Sequence, residues 1–307
     1  MKSYWKYFNL SFLLLLMTNC SSATSAIKEK PSDNAYRTLV IAHRGARSLA
    51  PENTLAAAKK AFDLHADLWE LDVAVTSDGE LVVVHDDTLE RTCNVIDLFP
   101  GKIPWYVWDF TLAEIKTLDC GSWFNETDPF KQIKSGNVSQ EEMDSYVGEK
   151  MPTLREALEF TLENNWRVNV ELKDQPDEKF GSTLVEKTVS LISELGMDSK
   201  EQVVISSFNH EYLKNVKSLN SNIPIQALTN EKIKNLSQYL TDLGTKTCNP
   251  KVDVWNPDEL EELGREGIHF NVYTVNDEAK MKQLIAANVQ GIFTDFPQIL
   301  TQLISSQ

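Results

Sequence analysis

Between Ile41 and Asp86 the chain carries two short clusters, His43-Arg44-Gly45 and His85-Asp86, with Glu70-Leu71-Asp72 between them. Each stands at the end of an apolar run: Leu39-Val40-Ile41, Leu68-Trp69, and Leu81 to Val84. Glu70 and Asp72 lie two residues apart, so on one strand their side chains share a face. Two carboxylates held together repel unless one is protonated or a cation bridges them. Glu171, at the end of Arg167-Val168-Asn169-Val170, is a natural third ligand. Three carboxylates without a nearby thiolate suit a hard divalent cation, Ca2+ or Mg2+, better than zinc. In the plainer reading these acids cap strand ends or pair with Arg44 and Lys173.

His43 and His85 are the candidate proton carriers, because imidazole titrates near neutral pH. Cleaving a phosphodiester needs a base for the nucleophile and an acid for the departing alkoxide. One histidine on each face of the phosphorus meets both needs. Arg44 and Lys173 offer positive charge for the phosphoryl oxygens, the arginine through paired donors and the lysine as a point charge. A lone histidine on an apolar strand is more often a hydrogen-bonded core group. Two at strand ends, flanking the acids, point instead to metal-assisted chemistry on a phosphate ester.

Strands and helices in alternation must position these groups. Thr38–Ala42 reads as a buried strand, and Asn53-Thr54 cap a helix carrying Leu55, Ala58, Phe62 and Leu64. Leu68–Val75 is the second strand; the turn Ser77-Asp78-Gly79 brings Leu81–Val84 back as a hairpin. From Asp87 to about Gly148 the rhythm breaks, with Pro100, Gly101, Pro104 and several tryptophans. This stretch, about 88–150, reads as an insertion packed by aromatics such as Trp105, Trp108 and Trp123.

Alternation resumes with a helix over Thr153–Asn165, a strand over Arg167–Leu172, a helix over Ser182–Leu195 and a strand over Val203–Ser206. A helix at His210–Leu219 and a strand at Ile223–Leu228 follow. Glu231 to Trp255 is the least regular stretch, with Val252–Val254 as the expected seventh strand. Then come a helix at Pro257–Glu266, a strand at Ile268–Tyr273, a helix from Asn276-Asp277 through Ala287, and a last strand at Gly291–Thr294. Eight strands alternating with helices fit an α/β TIM (β/α)8 barrel over residues 37–307, whose active site lies at the C-terminal strand ends. A doubly wound open sheet is the alternative. The barrel is favoured because His43, Glu70, Asp72, Glu171 and Tyr273 all fall near strand ends, as a barrel mouth requires.

At 307 residues, with 42% hydrophobic and 24% charged residues, the chain can bury one large barrel core. A formal net charge of -15 argues against nucleic acid and against non-specific adsorption to anionic lipid. It does not exclude one small anionic substrate held by local basic groups. Lys2 and Lys6 before the apolar stretch Leu10 to Met17 read as a secretory signal, too short to span a bilayer comfortably. Met17-Thr18-Asn19-Cys20 then resembles a bacterial lipoprotein signal, with residues 1–20 removed up to a lipidated Cys20 and residues 21–36 as a linker. Asn19 departs from the small residue expected there, and ordinary cleavage near Ala23 to Ala26 is the competing reading. Either route, like retention of the segment as an anchor, exports the protein, to the periplasm or outer membrane on a lipid anchor, or as a soluble secreted form. Cys93 and Cys120 form a disulfide in such a compartment or, with Cys248, remain free thiols.

His43-Arg44-Gly45-Ala46, Ala50-Pro51-Glu52-Asn53-Thr54, Glu70-Leu71-Asp72-Val73 and Val84-His85-Asp86-Asp87 together resemble the glycerophosphodiester phosphodiesterases. Glu171-Leu172-Lys173, Ser206-Ser207-Phe208, Tyr273-Thr274-Val275-Asn276 and Gly291-Ile292-Phe293-Thr294-Asp295 continue the resemblance in order, from Ile41 to Pro297. It implies a TIM barrel with a small insertion after the His85 strand, a divalent cation on Glu70, Asp72 and Glu171, and His43 and His85 as acid/base pair. It also implies a glycerophosphodiester substrate with Arg44 and Lys173 on the phosphate, hydrolysed to sn-glycerol 3-phosphate and an alcohol. Tyr273 stands where the family commonly has tryptophan, which alters the wall against the glycerol and the preferred head group. A lysophospholipase D-like activity on lysophospholipids, using the same residues, is the alternative function.

Overall fold

The computed structural model describes residues 37–199 and 202–306. The signal segment, Cys20 and the linker lie outside the described residues. Nine strands form one sheet: β1 Leu39–Ala42, β2 Leu68–Val75, β3 Leu81–Val83, β4 Val168–Leu172, β5 Val203–Ser207, β6 Ile225–Thr229, β7 Thr247–Pro250, β8 His269–Val272 and β9 Gly291–Thr294. Eight of them run parallel in the order β1-β9-β8-β7-β6-β5-β4-β2, and β1 also pairs with β2. That second pairing closes the ring, so the molecule is a TIM barrel and not an open sheet. β3 turns back antiparallel on the upper half of β2, with Val73 opposite Val83.

The barrel strands are buried on both faces, which is why they read as short apolar runs. Their outward residues pack against helices 154–163, 178–194, 210–219 and 278–286, among others, in one continuous aliphatic core. Side-chain caps start these helices where the loops end. Thr54, Thr153 and Asn256 each accept an amide of the first turn, and Glu156 and Glu259 complete capping boxes.

The inside of the ring is divided. One side carries hydrocarbon, with Ile41, Leu68, Val204 and Phe293 in contact. The other carries amides: Gln226 Oε1 accepts from Asn169, Asn249 and Asn271 at 3.0, 2.8 and 3.2 Å, and Ser206 donates to Asn169. This floor lies one inward-facing residue below the chemistry-bearing groups, since Asn169 precedes Glu171 by two and Ile41 precedes His43 by two.

The irregular region holds a helical tier of its own, at Val95–Leu98, Leu112–Ile115, Ser122–Thr127 and Gln140–Tyr146. Leu89, Val95, Phe110 and Leu118 form a small apolar core there, and Cys93 is bonded to Cys120. The tryptophans pack as expected from their type: Trp105 donates to the Phe99 carbonyl, Trp108 stacks on Tyr106, and Trp123 meets Phe124 edge-on. A second cluster seats Phe124, Val138 and Tyr146 on Leu49, Ala50 and Ala57, and the Tyr146 hydroxyl donates to the Leu49 carbonyl.

One element is corrected. The seventh strand is Thr247–Pro250, and Val252–Val254 instead forms a turn in which Asp253 takes a φ of 73°. The irregular stretch also contains an unexpected helix at Leu236–Leu243, closed by Gly244 in the left-handed conformation. The helix over 178–194 starts four residues before Ser182, because Asp177 caps it.

Candidate active site

The acids meet at the barrel mouth. β2 and β4 pair in parallel with Asp72 beside Glu171, and Glu70 lies one inward step below on β2. Glu70, Asp72 and Glu171 each offer a carboxylate oxygen, all within 4.8 Å of one another. Their electrostatics are unlike. Burial, then the charges of Asp72 and Glu171, push the Glu70 carboxyl well above its ordinary value. Burial and Asp72 likewise raise Glu171. Burial works against ionised Asp72 too, but Arg44, His85 and Lys173 outweigh it and hold the group down at about 2.

Glu70 Oε1 and Asp72 Oδ1 are buried and have no hydrogen-bond partner. Buried carboxylate oxygens without donors are costly. An oxygen-coordinated divalent cation would satisfy both and remove the repulsion that raises Glu70, so the donor set fits such an ion.

A strained turn brings the first histidine to this centre. His43 continues β1, its amide donating to the Thr294 carbonyl of β9. Arg44 has a φ of 54°, and this left-handed backbone aims its amide at Glu70 Oε2, 2.8 Å away. A Cβ on Gly45 would lie 2.6 Å from the Ala57 carbonyl carbon, so only glycine lets the turn press against the following helix. The Nδ1 of His43 donates to Asp295 Oδ1 at 2.6 Å, and Asp295 is in turn held by Asn276 and Arg47. Nδ1 is thereby occupied and Nε2 is the nitrogen left for chemistry. Burial, followed by the nearby Arg44 charge, lowers the His43 pKa below its ordinary 6.5.

His85 arrives from the hairpin. The Val84 amide donates to the Asp72 carbonyl, which sets the following residue beside the acids. His85 Nδ1 donates to Asp86 Oδ1 at 2.7 Å, again leaving Nε2 free. Its side chain is 33% exposed against 14% for His43, so the second station is the more open one.

The expected phosphate contacts are both engaged with carboxylates here. Arg44 pairs with Glu52 at 2.8 Å and with Asp72 at 3.3 Å. Lys173 lies 3.1 Å from Glu171 and 3.8 Å from Asp72. Burial opposes the ammonium, but Asp72 and Glu171 more than compensate and raise its pKa. Tyr273 turns its hydroxyl to the Thr229 carbonyl at 2.9 Å and sets its ring edge-on to exposed Phe208, 5.8 Å between centroids. The wall it offers is therefore ring, with its polar end spent on backbone.

Several neighbours join the assigned residues, and of these only Glu52 was open to a site role from the sequence, as a hydrogen-bonding group beside its turn. Glu52, 2% exposed, is a hub for Arg44, Arg47 and Arg91, and burial notwithstanding, these guanidiniums hold its carboxyl far below the ordinary range. Asn53 donates to Asp72 at 2.9 Å. Asp86 and Asp295 act as partners of the histidines, and Arg47 and Arg91 as partners of those acids. Part of this network is local in sequence, with Arg44 and Arg47 shortly before Glu52 and Arg91 shortly after Asp86, while Arg91–Glu52 and Arg47–Asp295 join residues 39 and 248 positions apart.

The chain is similar to known proteins along most of its length. A model of the glycerophosphoryl diester phosphodiesterase family matches residues 43–299. A glycerophosphodiester phosphodiesterase of Bacillus subtilis is 33% identical over 95% of this chain and 93% of its own length. One from Caldanaerobacter subterraneus is 35% identical over 87% of this chain and 98% of its own. Among solved structures, an Oleispira antarctica phosphodiesterase in complex with the product sn-glycerol-3-phosphate superposes with a TM-score of 0.71 at 26% identity, over 88% of this chain and 97% of that one.

Proposed function

The chain belongs to the glycerophosphoryl diester phosphodiesterase family, and on that premise we propose that it hydrolyses glycerophosphodiesters to sn-glycerol 3-phosphate and an alcohol by metal-assisted acid/base catalysis. The observation that carries the mechanism is one carboxylate triad flanked by two imidazoles, each with Nδ1 bound to an aspartate.

His43 is the base. Its lowered pKa leaves Nε2 unprotonated near neutral pH, ready to take the proton of the attacking oxygen, whether from water or from the substrate's 2-hydroxyl. As that proton arrives, the Asp295 carboxylate stabilises the imidazolium. His85 is the acid, delivering a proton to the leaving alkoxide from its more open station. Arg44 and Lys173 face the phosphoryl oxygens while remaining paired with the acids that hold them. A Ca2+ or Mg2+ ion on Glu70, Asp72 and Glu171 would supply Lewis-acid polarisation there. Tyr273 and Phe208 wall the glycerol side.

The N-terminal segment supports export with Cys20 as the lipidated residue, and the Cys93–Cys120 bond suits an oxidising compartment. Loss of membrane association on Cys20→Ser tests the anchor.

The reaction is tested by a coupled sn-glycerol 3-phosphate assay across head groups, including a lysophospholipid, before and after EDTA and with each metal restored. Release that stops on chelation and returns with one cation supports the reading. Activity untouched by thorough chelation contradicts it.

A further inference from the structure

Arg91 reaches from the insertion into both halves of the site. Its Nη2 and Nη1 donate to Glu52 Oε1 and Oε2 at 2.7 and 3.1 Å, while Nε donates to Asp86 Oδ2. One planar guanidinium thus spends its two terminal nitrogens on the hub and its Nε on the acid that holds His85 Nδ1. From Glu52 the pairing continues through Arg47 to Asp295 and so to His43. The two histidines are therefore joined by one run of alternating charges, His43–Asp295–Arg47–Glu52–Arg91–Asp86–His85.

The segment that carries Arg91 is itself well fixed. The Leu89 amide donates to the Trp105 carbonyl, the Cys93 amide donates to the Leu89 carbonyl, and Cys93 is bonded to Cys120. The Trp123 ring lies 5.8 Å from the guanidinium. His85 shares a small cavity of about 10 Å³ with Glu52, Thr92, Cys120 and Met151, so residues of the insertion come up beside the histidine.

We propose that Arg91 is a positioning residue of the reaction, setting Asp86 so that Asp86 fixes the His85 imidazole, and that the insertion thereby belongs to the catalytic machinery. This rests on His85 acting as in the proposed function. An ordinary salt bridge is the competing role. Arg91 is 40% exposed but its partner Glu52 only 2%, so loss of the guanidinium also costs stability, and the readout must be taken per folded molecule. A stability-only role therefore leaves kinetics and the imidazole untouched.

The test compares Arg91→Gln and Arg91→Lys in the full chain, reading kcat and KM on a glycerophosphodiester and the 15N resonances of the imidazoles. In Arg91→Gln, kcat falls by about 10- to 100-fold, as for other groups that orient a reacting side chain, with KM little changed. The His85 nitrogens shift while those of His43 hold. Arg91→Lys keeps the charge but cannot grip Glu52 and Asp86 together, so it recovers only part of kcat. His85 resonances unmoved in Arg91→Gln, or a loss of activity matched by loss of folded protein in both variants, overturn the proposal. If the unaltered protein turns over no diester, the functional reading falls, and the resonance comparison still decides the positioning role.

Discussion

His43 sits on the barrel itself, at the end of β1 with its aspartate at the end of β9, whereas His85 and Asp86 follow one another where the chain leaves the barrel for the insertion. The first pair is held by strand register: Ala42 lies opposite Thr294, so the residues that follow must meet. The second is held by side chains, through Arg91 and a disulfide-tethered loop. Burial follows the same division, at 14% and 7% exposure for His43 and Asp295 against 33% and 27% for His85 and Asp86. Strand register fixes the first pair before Asn276 and Arg47 add to it, while the second depends more on the charge that holds Asp86.

Four measurements bear on that contrast. The largest effects belong to the imidazoles: His43→Ala and His85→Ala should each lower kcat by about 10²- to 10⁴-fold while the fold is kept. Near-wild-type release of sn-glycerol 3-phosphate by either variant removes that histidine from the mechanism. Next come the aspartates. Asp295→Asn should cost more than Asp86→Asn, each about 10- to 100-fold in kcat, because a hydrogen bond in the drier site is worth more. Equal losses would break the contrast between buried and rim stations.

Third is pH. Burial and Arg44 lower the His43 pKa from 6.5, so the imidazole stays a base until the pH falls through that lowered value. The acid limb of kcat/KM should accordingly lie below pH 6.5 and disappear in His43→Ala; a limb at or above 6.5 goes against it. In the unfolded chain the same group charges first, since its pKa is the higher one. Its contribution to stability therefore begins to be lost as the pH drops below about 6.5. The smallest effect concerns the seam between the two regions. Tyr146→Phe deletes the hydroxyl that ties the insertion to Leu49 and should lower unfolding stability by about 1 kcal/mol in denaturant titration, with kcat unchanged.

What could be read from the chain follows the same physics. β2, β9 and the helix 210–219 were legible to the residue because two-faced burial or an amphipathic face leaves its period in the sequence. β7 was not, since Thr247-Cys248-Asn249-Pro250 contains no aliphatic or aromatic side chain and so leaves no apolar run in the sequence. Val252–Val254 has the better strand composition, yet Asp253 turns the chain there. The acids and histidines declared themselves through spacing. The network through Arg47, Arg91 and the Glu52 hub did not, because its connecting links, Arg91 to Glu52 and Arg47 to Asp295, join segments that only the fold brings together.

The divided floor of the barrel has its own consequence. Below the charged groups the ring offers hydrocarbon and neutral polar groups, from Ile41 and Phe293 to Asn169, Ser206 and Gln226. Neither face welcomes a net charge, and Gln226 already accepts three donors. The mouth is thus a cul-de-sac for ions and protons: whatever enters charged leaves by the same door. The charge within it is set by the strand-borne acids and the basic groups around them rather than by anything beneath.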